Sequence, residues 1–216
     1  MTDIVRMALS TGRRNWVTNV QRFVRARDVG EEQCELCSAP IAADHRHLVE
    51  PAKHRLLCVC GACSLLLGNS GDSRYCEVPQ TARRLENFHI TDAEWDAFGI
   101  PIGLAFFIRS LPDKRIVAFY PGPAGPMESL LDMQAWVTLV ANNPLLSELK
   151  PECEALLVNR VRNAREYFQA PIDRCYGLAG LIRTKWRGLS GGDEAWKAID
   201  GFFAALCESP GVYRHG

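Results

Sequence analysis

Cys34-Glu35-Leu36-Cys37, followed after 22 residues by Cys60-Gly61-Ala62-Cys63, decides how this chain is read. Two residues between cysteines let the backbone curl until both sulfurs face one point. Two such knuckles supply four thiolates in a tetrahedron, with zinc–sulfur distances of about 2.3 Å. The separation is slightly above the usual ~15–20 residues and suits a zinc ribbon or a treble clef. Leu56-Leu57-Cys58-Val59 reads as the strand entering the second knuckle, and Cys63-Ser64-Leu65-Leu66-Leu67 as a short helix leaving it. The expected metal ligands are Cys34, Cys37, Cys60 and Cys63. All-thiolate tetrahedra suit zinc and iron alike. Zinc is the expected cofactor and iron the alternative, because iron knuckles usually carry glycine after the second cysteine and here Ser38 and Ser64 stand there. A zinc closed by four thiolates leaves no position for water or substrate, so it contributes folding energy rather than catalysis.

Neighbouring residues compete for places in that set. Cys58 and Cys60 are related as i and i+2, so on a continuous strand they share a face, and Cys58 is an alternative to Cys60. His45 and His47 share the same spacing, and either is an alternative to a cysteine. His54, His89 and His215 have no partner spacing, and Cys76 is expected outside the ligand shell. Cys153, Cys175 and Cys207 stand singly and are expected to pack as small hydrophobes. Nine cysteines, an odd number, argue against a disulfide framework.

The 216 residues carry 25 basic and 25 acidic side chains, a net charge of zero. This balance excludes a generally basic nucleic-acid protein and an acidic disordered tail. No stretch approaches the ~18 apolar residues of a membrane span. Arg13-Arg14 is followed by a segment too polar for a twin-arginine signal, so a cytoplasmic location is expected. Residues 1–30 hold six arginines against Asp3 and Asp28, and Val17, Val20 and Val24 recur at helical spacing.

Farther along, Thr91-Asp92-Ala93-Glu94 forms a capping-box pattern that opens a short helix through Trp95 and Phe98. Leu104–Ile108 and Ile116–Tyr120, separated by Pro112-Asp113-Lys114, predict a β-hairpin. Pro121–Pro126 is expected to leave the sheet, since proline cannot donate to a ladder. Helices are predicted over 130–141, over 172–187 with Pro171 in its first turn, and over 193–207 capped by Ser190 or Asp193. Strands are predicted at Ala155–Val158 and Glu166–Gln169. The chain reads as α+β: an N-terminal zinc-ribbon or treble-clef module followed by an antiparallel sheet covered by helices. Three segments follow: a basic segment 1–30, a four-cysteine metal-binding module 31–76 and an α+β domain 77–216.

Several motifs together resemble one uncharacterised bacterial family of unknown function. They include Cys34–Cys37, His45-Arg46-His47-Leu48, Cys60–Leu67, Ile100–Phe107, Tyr120–Gly125, Glu154–Arg160, Ile172–Tyr176 and Trp186–Gly192. The resemblance implies an encoding near uptake nickel–iron hydrogenase genes, and with it an accessory role through contacts with a hydrogenase subunit or maturation factor. It transfers no catalytic residue. The chain shows no P-loop, Gly-x-Ser-x-Gly, His-Glu-x-x-His or dinucleotide fingerprint. Two other readings attach to the same cysteines. A rubredoxin-like electron carrier would place iron there. A His-Asn-His nuclease would use Asp44-His45-Arg46-His47, but it lacks the usual His or Asn after the second knuckle and an excess of basic charge for phosphate.

Overall fold

The computed structural model describes residues 32–68, 74–122, 124–188 and 191–208. The expected N-terminal helix, the 69–73 loop, Ser190 and His215 lie outside these. Three short strands form the first sheet: β1 (Arg46–Glu50), β2 (Arg55–Val59) and β3 (Cys76–Glu77), in the order β2-β1-β3 and antiparallel. A 3-10 turn at Pro51–Lys53 joins β1 to β2, and His54 closes it in the left-handed region at φ 47. Helix α1 (Gly61–Gly68) starts one residue after β2. Its last residue packs so closely on β3 that a Cβ at Gly68 would stand 2.8 Å from the Glu77 Cβ.

Period-two alternation gives the β1–β2 hairpin two different faces. Leu48, Leu57 and Val59 point one way and bury with Cys34 in a small core, bordered by Leu36, Ile41, Leu67 and Tyr75. Val49 and Leu56 point the other way and join the main core of the protein.

That main core is built on a second, six-stranded antiparallel sheet. Its strands are β4 (Arg83–Arg84), β5 (Leu104–Ser110), β6 (Arg115–Gly122), β7 (Gly125–Ser129), β8 (Glu154–Asn159) and β9 (Glu166–Pro171), ordered β4-β9-β8-β5-β6-β7. Four helices belong to it: α2 (Asp92–Ala97), α3 (Met133–Asn142), α4 (Ile172–Lys185) and α5 (Gly192–Glu208). Both faces of the sheet are apolar, which explains why β5 and β8 read as unbroken hydrophobic runs. Phe106, Ile108, Leu157 and Phe168 face Tyr176 of α4 and Phe203 of α5. Ala105, Phe107, Leu156 and Val158 face Trp95 of α2 and Trp136 and Leu139 of α3. The α+β class, the antiparallel sheet and the covering helices are as the sequence predicts. The expected hairpin is β5–β6, and the strands at 155–158 and 166–169 are β8 and β9. The capping box is present: the Glu94 N–H donates to Thr91 Oγ1 at 3.2 Å while the Thr91 N–H donates to Glu94 Oε2 at 2.7 Å.

Three local expectations fail for identifiable reasons. Pro121–Pro126 does not leave the sheet; β6 runs through Gly122 and turns directly into the edge strand β7, with Pro121 opposite Pro126 and Gly122 opposite Gly125. Antiparallel rungs alternate between those that exchange N–H groups and those that do not, and two prolines fit the second kind. The predicted helix at 130 starts at Met133, because Asp132 Oδ1 accepts from the Gln134 N–H at 2.8 Å and caps it there, leaving Leu130 outside and 83% exposed. Pro171 is the last residue of β9 and the cap of α4 rather than part of its first turn, while Asp193 lies inside the first turn of α5. Among the described residues no helix is long and apolar enough to cross a membrane.

Candidate metal centre

The first knuckle is a tight turn at the edge of the small core. The Ser38 N–H donates to the Cys34 carbonyl at 2.8 Å, and the Cys34 N–H to the Ala39 carbonyl at 2.8 Å. Ser38 takes φ 60, a left-handed conformation that glycine would adopt at no steric cost. Glu35 fastens this turn to β2: its N–H donates to the Cys58 carbonyl at 2.9 Å, and its Oε2 accepts from the Cys58 N–H at 2.8 Å. The second knuckle is the junction of β2 and α1, with the Ser64 N–H donating to the Cys60 carbonyl at 3.0 Å. A knuckle, a β-hairpin and then a helix entered through the second cysteine pair is an order compatible with the zinc module expected.

The four expected cysteines come together. The sulfurs of Cys34, Cys37, Cys60 and Cys63 all lie within 4.8 Å of one another, and Cys37 Sγ is 3.7 Å from Cys60 Sγ. A tetrahedron with zinc–sulfur bonds of ~2.3 Å has sulfur–sulfur edges of ~3.8 Å, so the group can hold a metal ion with little rearrangement. Cys34 is buried and Cys37 exposed, so the group spans from the small core to the surface. Four neighbouring thiols cannot all ionise without a cation. Burial opposes ionisation of Cys34, but the backbone N–H groups of Cys60, Leu36 and Cys37 outweigh it and lower its pKa to about 6. Burial and then the surrounding sulfurs push Cys63 up to about 12. The Cys37 thiol is also raised: the Ala39 N–H favours its thiolate, and the Cys34 and Cys60 sulfurs overcome that help.

The alternative ligands fall elsewhere. His45, His47 and Cys58 form a separate group whose donor atoms lie within 4.8 Å of one another. The expectation that Cys58 and Cys60 share a face fails because β2 ends at Val59. Cys58 keeps the strand alternation and faces the main body, while Cys60 turns into α1 and faces the cysteines. His47 sits directly opposite Cys58 in the β1–β2 ladder. Its Nδ1 is 3.2 Å from Asp173 Oδ2 in the first turn of α4. Burial alone would lower the His47 pKa, but Asp173 and then Cys58 raise it to about 9. Asp173 escapes a sequence reading, since it stands 126 residues from His47 and nothing local marks it. Glu77 escapes it as well, although its Oε1 accepts from Ser64 Oγ at 2.8 Å and Arg46 at 2.7 Å and so fixes α1 to the small sheet. Cys76 is outside the cysteine group and packs with Cys153 toward the main core, where Cys153 and Cys175 are buried and Cys207 is partly so.

No curated protein and no solved structure shows significant similarity to the chain. A family model does: it matches residues 33–210, a span that takes in both cysteine knuckles, the six-stranded sheet and α5. The chain therefore belongs to DUF5947, a family of unknown function.

Proposed function

We propose that this chain is a cytoplasmic accessory protein whose fold is stabilised by zinc on Cys34, Cys37, Cys60 and Cys63 and which acts through protein contacts in nickel–iron hydrogenase assembly or function. The observation that carries the metal part is the convergence of the four sulfurs within 4.8 Å. Four protein donors fill a tetrahedral zinc, so the ion supports a surface and leaves no position for substrate. Leu65 and Leu66, at 65% and 72% exposure on the helix that starts at this centre, are apolar groups available to a protein partner. The hydrogenase part rests on the family resemblance carried between Cys34 and Gly192, with a subunit or maturation factor as the partner. The division into a basic segment 1–30, a metal module 31–76 and an α+β domain 77–216 belongs to the same reading, the first segment steering toward an acidic surface.

One observation favours a second reading, an iron-holding electron carrier. Cys37 is exposed, so an iron at the same sulfurs would have a ligand at the surface facing an electron partner. Elemental analysis of the purified protein with its visible spectrum separates the two. Zinc without colour supports the accessory reading. Iron with thiolate charge-transfer bands replaces it with the carrier. Deleting the gene should lower hydrogenase activity or maturation, and normal activity in the deletion strain removes the hydrogenase link.

A further inference from the structure

We propose that His45, His47 and Cys58 hold a second divalent transition-metal ion of the zinc class, between the β1–β2 hairpin and the start of α4. This site is distinct from the four cysteines and shares no residue with them. Its donor set, two imidazoles and a thiolate, is one that zinc-class ions select. One donor atom from each residue lies within 4.8 Å of the others. Bond lengths of about 2.0–2.1 Å to nitrogen and 2.3 Å to sulfur bring bound donors to about 3.3–3.6 Å, so an ion draws the three side chains slightly inward.

The histidine tautomer is set for the task. His45 Nδ1 is 2.8 Å from the Ala42 carbonyl and 3.3 Å from Glu32 Oε2. Both oxygens only accept, so Nδ1 carries a proton, and the neutral ring has its lone pair on Nε2. The His45 side chain is only 9% exposed, and its Nε2 is buried with no hydrogen-bond partner among the described residues. A buried lone pair beside a second imidazole, with ring centroids 4.7 Å apart, and near a thiol has the surroundings of a ligand. On the other imidazole, the Asp173 carboxylate lies 3.2 Å from His47 Nδ1. This is the carboxylate–histidine–metal arrangement, in which the carboxylate fixes the ring and raises its basicity toward the ion. Three protein donors leave a tetrahedral ion one position for water or a small anion, which the four-cysteine centre lacks.

Cadmium-113 NMR of the full chain, loaded with cadmium alone, tests this. The expected spectrum has two resonances, one typical of four thiolates and one of mixed nitrogen and sulfur ligation. His45→Ala and, separately, Cys58→Ser should each abolish the mixed resonance, keep the other, and reduce bound cadmium by one ion per chain. A folded wild-type protein with only the four-thiolate resonance overturns the proposal, as does a second resonance that survives both substitutions. A mixed resonance without the four-thiolate one upholds this site and refutes the reading of the four cysteines. Should a variant fail to fold, long-range proton–nitrogen correlation on wild-type histidines decides. His45 and His47 should change their Nε2 shifts between cadmium-loaded and chelated protein, and unchanged shifts overturn the proposal.

Discussion

Cys37→Ser and Cys153→Ser form a pair in which burial and metal binding predict opposite rankings. Cys37 is exposed, whereas Cys153 is 2% exposed within the main core. If packing alone mattered, serine at 37 would remove no packed surface and change stability by less than about 0.5 kcal/mol. Serine at 153 would place a hydroxyl in apolar surroundings at a cost of about 1–3 kcal/mol. A four-thiolate metal reverses that order. Structural zinc contributes ~10–16 kcal/mol in zinc-finger peptides, and one bond in four of that is ~2.5–4 kcal/mol. The small core of Cys34, Leu48, Leu57 and Val59 offers little to offset such a loss. Urea unfolding followed by circular dichroism, with metal release followed by a chromogenic chelator, measures both variants. Cys37→Ser should be the less stable with zinc present, and the order should invert once both are stripped of metal. A Cys37→Ser protein with wild-type metal content and an unchanged midpoint would refute the reasoning.

Phe107→Ala should cost about 3–5 kcal/mol. Its ring is 1% exposed and lies 5.2 Å from Phe98 and 5.5 Å from Trp136, centroid to centroid; Leu130→Ala, at an 83% exposed position, should shift the same urea midpoint negligibly. Thr91→Ala should cost about 1 kcal/mol by removing the cap of α2. The backbone N–H and hydroxyl of Thr91 hold the Glu94 carboxyl below its usual range. A lowered carboxyl pKa stabilises above the unfolded value of about 4.3 and loses that contribution as pH falls through the folded one. The stability gap between the variant and wild type, read by urea unfolding, should therefore narrow as the pH falls through the folded pKa. Asp173→Asn should weaken cadmium binding at His45, His47 and Cys58 by about 10–100-fold and leave the four-cysteine resonance in place, as read by competition with a chelator.

The parts of this protein that were legible in its sequence are those fixed by local chemistry. Cys-x-x-Cys spacing places two sulfurs on one side of a turn whatever follows, and Thr91 with Glu94 caps a helix by its own side chains. The β5–β6 hairpin shows because apolar runs flank a turn. What sequence spacing could not supply is pairing. The i, i+2 relation places His45 and His47 on one face, but only the β1–β2 register sets His47 opposite Cys58. The strand end at Val59 then separates Cys58 from Cys60, and Asp173 arrives from another element altogether. Pro121 and Pro126 mislead for the same reason, since a proline is tolerated or not according to the rung it occupies.

The two-faced β1–β2 hairpin has a consequence for metal selectivity. Side chains alternate with a period of two, so a slip of one residue would exchange the faces. His47 would then turn toward the small core and away from Asp173, and the proposed His45, His47 and Cys58 site would be lost. The connection Pro51–His54 therefore sets the register that keeps His47 and Cys58 on the side of Asp173 and Leu48 and Leu57 on the side of the small core. Inserting one residue there should scramble the metal content of the protein without touching a single ligand.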